Sequence, residues 1–130
     1  MDKNRIVVEL FFEKPSFEEV SKISKTLEKA EIKSIVMPPD ERYMNTHLII
    51  EPSDLPKTRR ELKNINIIAL EKEVIIITLE NKPGSMADAA RKISEKGVNL
   101  LYAFSVSMSP QMSYVLLGTS DNITALKALS

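Results

Sequence analysis

The chain has 130 residues, of which 43% are apolar and 28% are charged, as is typical of one ordinary globular domain or two very small ones. Its 18 basic and 18 acidic residues cancel overall, and they also cancel in each half, so bulk charge does not favour binding to nucleic acid or to a membrane surface. The chain has no cysteine, which excludes a disulfide framework and a thiolate metal site, and no apolar run could span a bilayer, so we expect a cytoplasmic protein without a cofactor.

The first seventy residues predict the element order β-α-β-β-α-β. Strands are predicted over residues 6–12, 32–37, 46–51 and 65–70. The first helix opens at Ser16, which has capping-box spacing to Glu19. Residues 38–40 contain two prolines and are expected to end the second strand. Asp54 is expected to cap the second helix, with Pro56 in its first turn.

The second half begins the same order again and stops one strand short. Strands are predicted over residues 74–80, 98–108 and 112–117, with a helix over 84–96 and a last helix that Asp121 caps. Alternation along the middle strand predicts a core face that includes Tyr102 and Phe104. We therefore predict two units, residues 1–71 and 72–130, packed as one body, because no Gly or Pro between residues 64 and 80 provides a flexible linker.

Residues 74–99 carry the clearest functional signal. A glycine-containing loop, residues 81–84, lies between a strand and a helix. The first N–H groups of a helix have no intrahelical acceptor, and the helix dipole is positive there, so the amides of Ser85 and Met86 form a candidate site for a carboxylate or another anion. A purely structural explanation stays open for each side chain: Gly84 for the turn, Asn81 for its own backbone and Ser85 as a helix cap.

These features, in this order, resemble the ACT domain, a small ligand-binding module attached to many enzymes of amino-acid metabolism. The matching residues are the strand that ends before Asn81, then Pro83, Gly84, Met86, Gly97, Val98, Asn99, Leu100, and Asp121 before the last helix. The resemblance covers residues 73–130. The first half matches only in its order of elements, since Lys14-Pro15-Ser16 replaces the Pro-Gly pair and Glu31 replaces the turn glycine.

The resemblance implies an α+β fold of two ferredoxin-like βαββαβ units, with antiparallel sheets and helices on one face, as in a stand-alone tandem-ACT protein whose second unit lacks its last strand. It also implies that units pair so that their sheets join, and that small ligands, often amino acids, bind where units meet. The family's ligand groups fall on Asn81, Lys82, Pro83, Gly84, Ser85 and Met86 and, across the interface, on Asn99, Leu100 and Leu101. We expect no equivalent site in the first unit, because its loop lacks glycine.

The leading hypothesis is a non-catalytic, amino-acid-binding regulatory protein that acts through ligand-dependent pairing of ACT units. Its expected partners are an amino acid, a second copy in a homodimer or higher oligomer, and an enzyme of amino-acid metabolism. A regulatory or structural subunit that pairs without a working ligand site is the alternative. An acylphosphatase-like enzyme is less favoured, since neither loop holds the arginine that this chemistry needs. A single histidine, His47, excludes a multi-histidine metal site.

Overall fold

The computed structural model describes residues 4–37 and 44–130, which form an α+β fold. The strands are β1 (Arg5–Phe12), β2 (Ser34–Met37), β3 (Thr46–Ile50), β4 (Leu70–Glu80), β5 (Leu100–Met108) and β6 (Met112–Thr119). The helices are α1 (Phe17–Lys29), α2 (Leu55–Asn64), α3 (Ser85–Ser94) and α4 (Asn122–Ala128), and a short 3₁₀ turn, Pro52–Asp54, precedes α2. The predicted strand end at residues 38–40 lies outside the described residues.

By its contacts the chain divides into two compact units. The N-terminal unit is Val7–Lys72, and the C-terminal unit is Glu73–Ser130 together with the first residues of the chain, to Ile6. Two strands therefore cross the division along the chain: β1 starts in the C-terminal unit, and β4 ends there. The assignment of one ACT-type unit to residues 1–71 and another to 72–130 stays a prediction.

In the N-terminal unit, β3 lies between β1 and β2 and is antiparallel to both. Alternate strand residues and the apolar stripes of α1 and α2 form one core, so the helices cover one face of the strands. Its buried members are Val8, Leu10, Phe12, Ile23, Leu27, Ile32, Leu48, Ile50 and Leu62.

The start of α1 confirms the predicted capping box. The Glu19 N–H donates to Ser16 Oγ at 3.1 Å, and the Ser16 N–H donates to Glu19 Oε1 at 3.0 Å. The start of α2 agrees less well. Asp54 occupies the cap position, but its side chain makes no capping hydrogen bond. Its carbonyl instead accepts the Thr58 hydroxyl at 2.8 Å.

The predicted strand boundaries around residues 65–80 were wrong. Residues 65–69 are not a strand, and β4 runs without a break from Leu70 to Glu80. The amides of Ile65 and Ile67 both donate to the Leu62 carbonyl at the end of α2, and Asn66 has a φ of +57°. These amides are therefore used by the helix end and cannot join a ladder. The alternation that favoured a strand is real, because Ile65, Ile67 and Ala69 pack against the core whereas Ile68 is exposed.

In the C-terminal unit, β6 lies between β4 and β5 and is antiparallel to both. Helices α3 and α4 pack on one face of these strands. The buried core is Ile75, Ile77, Ala89, Ile93, Val98, Val115, Leu117 and Ala125. Asp121 caps α4 as predicted, since its Oδ1 accepts the Thr124 N–H at 3.1 Å.

The prediction that a whole face of β5 belongs to the core was wrong. Val98, just before the strand, is buried, but Phe104 is 51% exposed and Met108 is 64% exposed. The register with β6 shifts between Leu100 and Tyr102 and again between Ser105 and Ser107, which interrupts the strict alternation. β5 is also an edge strand, because β6 is its neighbour on one side and no described strand lies on the other.

The C-terminal unit has no strand after α4 within the described chain, and residues 4–6 lie along β4 in this unit instead. The Asn4 Oδ1 accepts the Thr78 N–H at 2.8 Å, and Ile6 packs against the core of the unit. Since neighbouring N–H groups of a strand alternate in direction, the Thr78 amide points away from β6. Asn4 thus satisfies a donor on the edge of β4 that a last strand would otherwise pair.

Candidate functional site

The loop between β4 and α3 is tied at its start to the turn between β5 and β6. The Asn81 N–H donates to the Gln111 carbonyl at 2.8 Å, and its side-chain Nδ2 donates to the Ser109 carbonyl at 2.9 Å. Both nitrogen atoms of Asn81 therefore donate to the neighbouring turn. The Oδ1 is the side-chain atom that is left to contact a ligand.

Gly84 determines how α3 begins. It occupies the cap position with a φ of +88°, a left-handed conformation that L side chains rarely adopt, and no side chain caps the helix. Ser85 is the first helical residue rather than the cap, so the prediction of a Ser85 cap was wrong. The turn itself therefore requires glycine, and it leaves the start of the helix without a side-chain acceptor.

The amides that follow Pro83 are only partly used. The Ser85 N–H donates to the Lys82 carbonyl at 3.3 Å, which is a long hydrogen bond. The prediction that this amide is free was therefore wrong. The N–H groups of Gly84, Met86 and Ala87 have no acceptor among residues 4–37 and 44–130. Because these donors lie at the positive end of the α3 dipole, they can bind a carboxylate or another small anion.

A pocket of about 480 Å³ lies beside this loop in the C-terminal unit. Four of the predicted site residues line it, namely Lys82, Pro83, Gly84 and Ser85. The Ser85 Oγ is buried and has no hydrogen-bond partner within the described structure. A buried hydroxyl without a partner costs free energy, which a ligand or a water that reaches this oxygen would offset.

Charged side chains at the pocket are paired with one another. Lys82 Nζ lies 2.9 Å from Glu80 Oε2, and this hydrogen bond raises the pKa of Lys82 and lowers the pKa of Glu80. Asp88 pairs with Arg91 at 2.7 Å and with Lys92 at 3.2 Å, which lowers the pKa of Asp88. All of these groups are exposed and screened by water, so the fixed donors at the pocket are backbone amides more than lysines.

Other predicted site residues do not line the pocket. The Met86 side chain packs against the core, although its N–H belongs to the start of α3. Residues 99–101 lie at the opposite end of the strands: the Asn99 N–H donates to Ser120 Oγ, and Leu100 is opposite Thr119, whereas the loop neighbours the turn before Met112. Within one C-terminal unit, residues 99–101 therefore do not meet residues 81–86. Their role at the site stays a prediction that requires a second unit.

The pocket also contains residues that sequence reasoning missed. Asp88 and Lys92 follow Ser85 by three and seven positions, a helical spacing that predicts a shared face with it. Thr78 precedes the loop on β4. Asn4 also lines the pocket, although 74 residues separate it from Thr78, so no local signal could have indicated it.

The first loop of the chain differs from this site. The start of α1 carries its own carboxylate, since Glu19 accepts the Ser16 N–H, and this hydrogen bond lowers the pKa of Glu19. Lys14 lies in the loop before this helix. It has a φ of +40°, and its N–H donates to Asn45 Oδ1 at 3.1 Å. An anion at the start of α1 would have to displace the Glu19 carboxylate, whereas no side chain caps the start of α3.

Neither a metal site nor a membrane span is seen in the part of the chain that the structure describes. No group of three or more His, Cys, Asp or Glu side chains there could hold a metal ion. His47 Nδ1 lies 2.7 Å from Glu9 Oε1, and its ring contacts Phe11 edge-on. These contacts give His47 a structural role. None of the described helices has the length and apolar character to cross a bilayer.

Comparison with known proteins supports the same fold. Protein BT0572 from Bacteroides thetaiotaomicron is 19% identical with a TM-score of 0.75, over 97% of this chain and 86% of that chain. The regulatory subunit of aspartate kinase has TM-scores of 0.65 for the Thermus thermophilus protein in its ligand-free form and 0.63 for the Thermus flavus protein. Each is 12% identical, over 98% of this chain and 93% of that chain. At these identities the likeness concerns the fold.

No curated protein matches the chain. A family model does: the model described as an ACT domain pair matches residues 6–128, nearly the whole sequence. This match includes the first half, where the residues themselves resemble the family only in their order of elements. The chain therefore belongs to the ACT domain pair family, whose domains are regulatory.

Proposed function

We propose that this protein is a non-catalytic, cytoplasmic regulator that binds a small molecule, most simply an amino acid, at the start of α3. The observation that carries the proposal is the uncapped helix start beside a pocket of about 480 Å³, a size within the usual range of about 300–1,000 Å³ for small-molecule sites. The start of α1 differs, because a complete capping box already occupies its first amides.

The chemistry of the pocket favours a zwitterion. The free amides of Gly84 and Met86 would hold a carboxylate, and the Ser85 hydroxyl lies next to them. The carboxylates of Glu80 and Asp88 line the same pocket and could accept hydrogen bonds from an ammonium group. Both carboxylates have lowered pKa values because of neighbouring cations, so both are charged at neutral pH.

A titration of the whole chain with each of the twenty standard amino acids tests this function. We expect at least one to bind with a dissociation constant between micromolar and millimolar, and to raise the melting temperature because it binds the folded state. Isothermal calorimetry and thermal unfolding measure the two effects. If none of the amino acids binds at millimolar concentration, the sensor function is wrong and the alternative, a subunit that pairs without a working ligand site, is favoured.

We further propose that two copies pair through β5. This edge strand has nine residues, LLYAFSVSM, without a charge or a proline, the residues that commonly protect such edges. Leu101, Phe104 and Met108 are all more than half exposed on it. Antiparallel pairing of two β5 strands would place residues 99–101 of one copy near the other copy's turn before β6, to which Asn81 is bonded.

Pairing predicts a dimer that one charge on β5 disrupts. We expect the wild-type chain to be a dimer by light scattering, and Phe104→Lys to weaken the dimer at least about tenfold, because a lysine on an edge strand opposes strand addition. Ile123→Lys is the matched control, since Ile123 is 60% exposed on α4 of the same unit. A monomeric wild type, or a Phe104→Lys variant that dimerises as well as the control, would contradict pairing through β5.

The regulated partner is proposed by analogy. Two of the proteins that share this fold are regulatory subunits of aspartate kinase, which act together with an enzyme of amino-acid metabolism. We propose that this chain regulates such an enzyme, with a ligand that favours one arrangement of the paired units over another.

A further inference from the structure

We propose that Asn4 is a further ligand-contacting residue of the α3 pocket, and that ligand binding is coupled to the docking of residues 4–6 on the C-terminal unit. This inference rests on the proposed function and adds to it a residue from the far end of the chain. It also adds a consequence of binding, since residues 4–6 are held more firmly when the pocket is filled.

The hydrogen bond to Thr78 defines the orientation of the Asn4 side-chain amide. Its Oδ1 accepts the Thr78 N–H at 2.8 Å. A backbone N–H can only donate, so the side-chain atom that faces it must be the oxygen, and the orientation of the amide group follows. The Nδ2 group is then turned away from Thr78. It has no acceptor in the described ranges of the chain, 4–37 and 44–130.

This free donor lies at the pocket. Asn4 is half-buried and lines the same pocket as Gly84 and Ser85. Its Nδ2 therefore adds a side-chain donor to the backbone donors at the start of α3. A carboxylate has two oxygens and several lone pairs, so it can accept from the helix start and from a side-chain amide together.

Asn4 also helps to hold residues 4–6 on the C-terminal unit. Their contacts within the C-terminal unit include the hydrogen bond to Thr78 and the packing of Ile6, which is partly buried, against the core. Each of these contacts contributes to the free energy of docking. A ligand that contacts Asn4 adds to it, and by thermodynamic reciprocity the docked segment raises the affinity for the ligand by the same factor.

Nuclear magnetic resonance of the whole chain, with the twenty standard amino acids as probes, tests the coupling. We expect an amino acid that shifts the amide signals of Gly84 and Met86 also to shift the side-chain NH₂ signal of Asn4. At saturation it should slow hydrogen exchange of the Thr78 amide at least about tenfold, because this amide exchanges when Asn4 leaves. Both readouts use the wild-type protein, so they do not depend on how a variant folds.

A variant pair isolates the NH₂ group. Asn4→Asp keeps an oxygen to accept the Thr78 N–H and replaces the free donor with a carboxylate. We expect it to weaken amino-acid binding at least about tenfold and to leave the melting temperature of the free protein within about 2 °C of the wild type. Asn66→Asp makes the same change of charge at an exposed position of the N-terminal unit, and it should bind like the wild type.

The outcomes separate this inference from the proposed function. If amino acids shift the loop amides but not the Asn4 NH₂, and Asn4→Asp binds normally, the role of Asn4 is overturned while the sensor function stands. A shift of the Asn4 NH₂ without slower exchange at Thr78 overturns the coupling. If no amino acid shifts either group of signals at millimolar concentration, the proposed function and this inference are both wrong.

Discussion

Replacement of Gly84 by leucine is expected to abolish ligand binding while the protein still folds. Gly84 has a φ of +88°, so any L residue there costs about 1–2 kcal/mol of backbone strain. A Cβ at this position would meet no atom within 4 Å, so the first atom of the new side chain has open space. The leucine side chain would instead occupy the space at the start of α3 where we propose that the ligand carboxylate binds. The measurement is the increase in melting temperature that a bound amino acid causes, which should disappear.

Gly97→Leu is a matched control for this variant. Gly97 has a φ of +75°, a Cβ there also has open space, and it follows the opposite end of α3. Its backbone strain is therefore similar, but it lies outside the pocket. We expect the Gly97 variant to lose similar stability and to keep the full ligand response. If both variants lose the response, the effect comes from strain in α3, and if neither does, the ligand does not bind at the helix start.

Substitution of Gly118 by alanine is expected to destabilise the C-terminal unit by about 1–3 kcal/mol. Gly118 on β6 is opposite Tyr102 on β5, and a Cβ would lie 2.4 Å from Tyr102 Cζ and 2.5 Å from Cε1. The ring must therefore move off the strand. It would also lose its contact with Phe104, whose ring centroid is 5.6 Å away. Denaturant unfolding measures the change in the free energy of unfolding.

A double-mutant cycle identifies the cause of this loss. In a Tyr102→Ala background no ring overlaps the new Cβ, so Gly118→Ala should leave the free energy of unfolding almost unchanged. The expected coupling energy between positions 102 and 118 is therefore about 1–3 kcal/mol. An equal cost in both backgrounds would mean that the backbone of β6, and not the Tyr102 ring, requires glycine at this position.

Features that depend on a few neighbouring residues were predictable from the sequence. The capping box of Ser16 and Glu19 and the cap at Asp121 follow from side chains three positions apart, and the structure places their atoms as predicted. The loop at Gly84 is equally local, because a strand, a proline, a glycine and a helical pattern follow one another directly. Residues 82–85 therefore lie together at the pocket.

Features that depend on distant partners were not predictable. Ile65 and Ile67 alternate like strand residues and face the core, but their amides already serve the end of α2. Phe104 reads as a core residue, but the shifts of register in β5 leave it half-exposed. Asn4 belongs to the pocket because the chain folds back over 74 residues, a distance at which neither periodicity nor spacing carries information.

The placement of the first residues determines how this protein can be divided. Since Asn4 and Ile6 belong to the same unit as Glu73–Ser130, a fragment that begins at Glu73 would lack both contacts. It would leave the Thr78 amide and part of the apolar core unprotected, and so would be prone to self-association. A single cut cannot release an intact C-terminal half. A faithful excision would need the N-terminal residues joined to the other end of the fragment, as in a circular permutant.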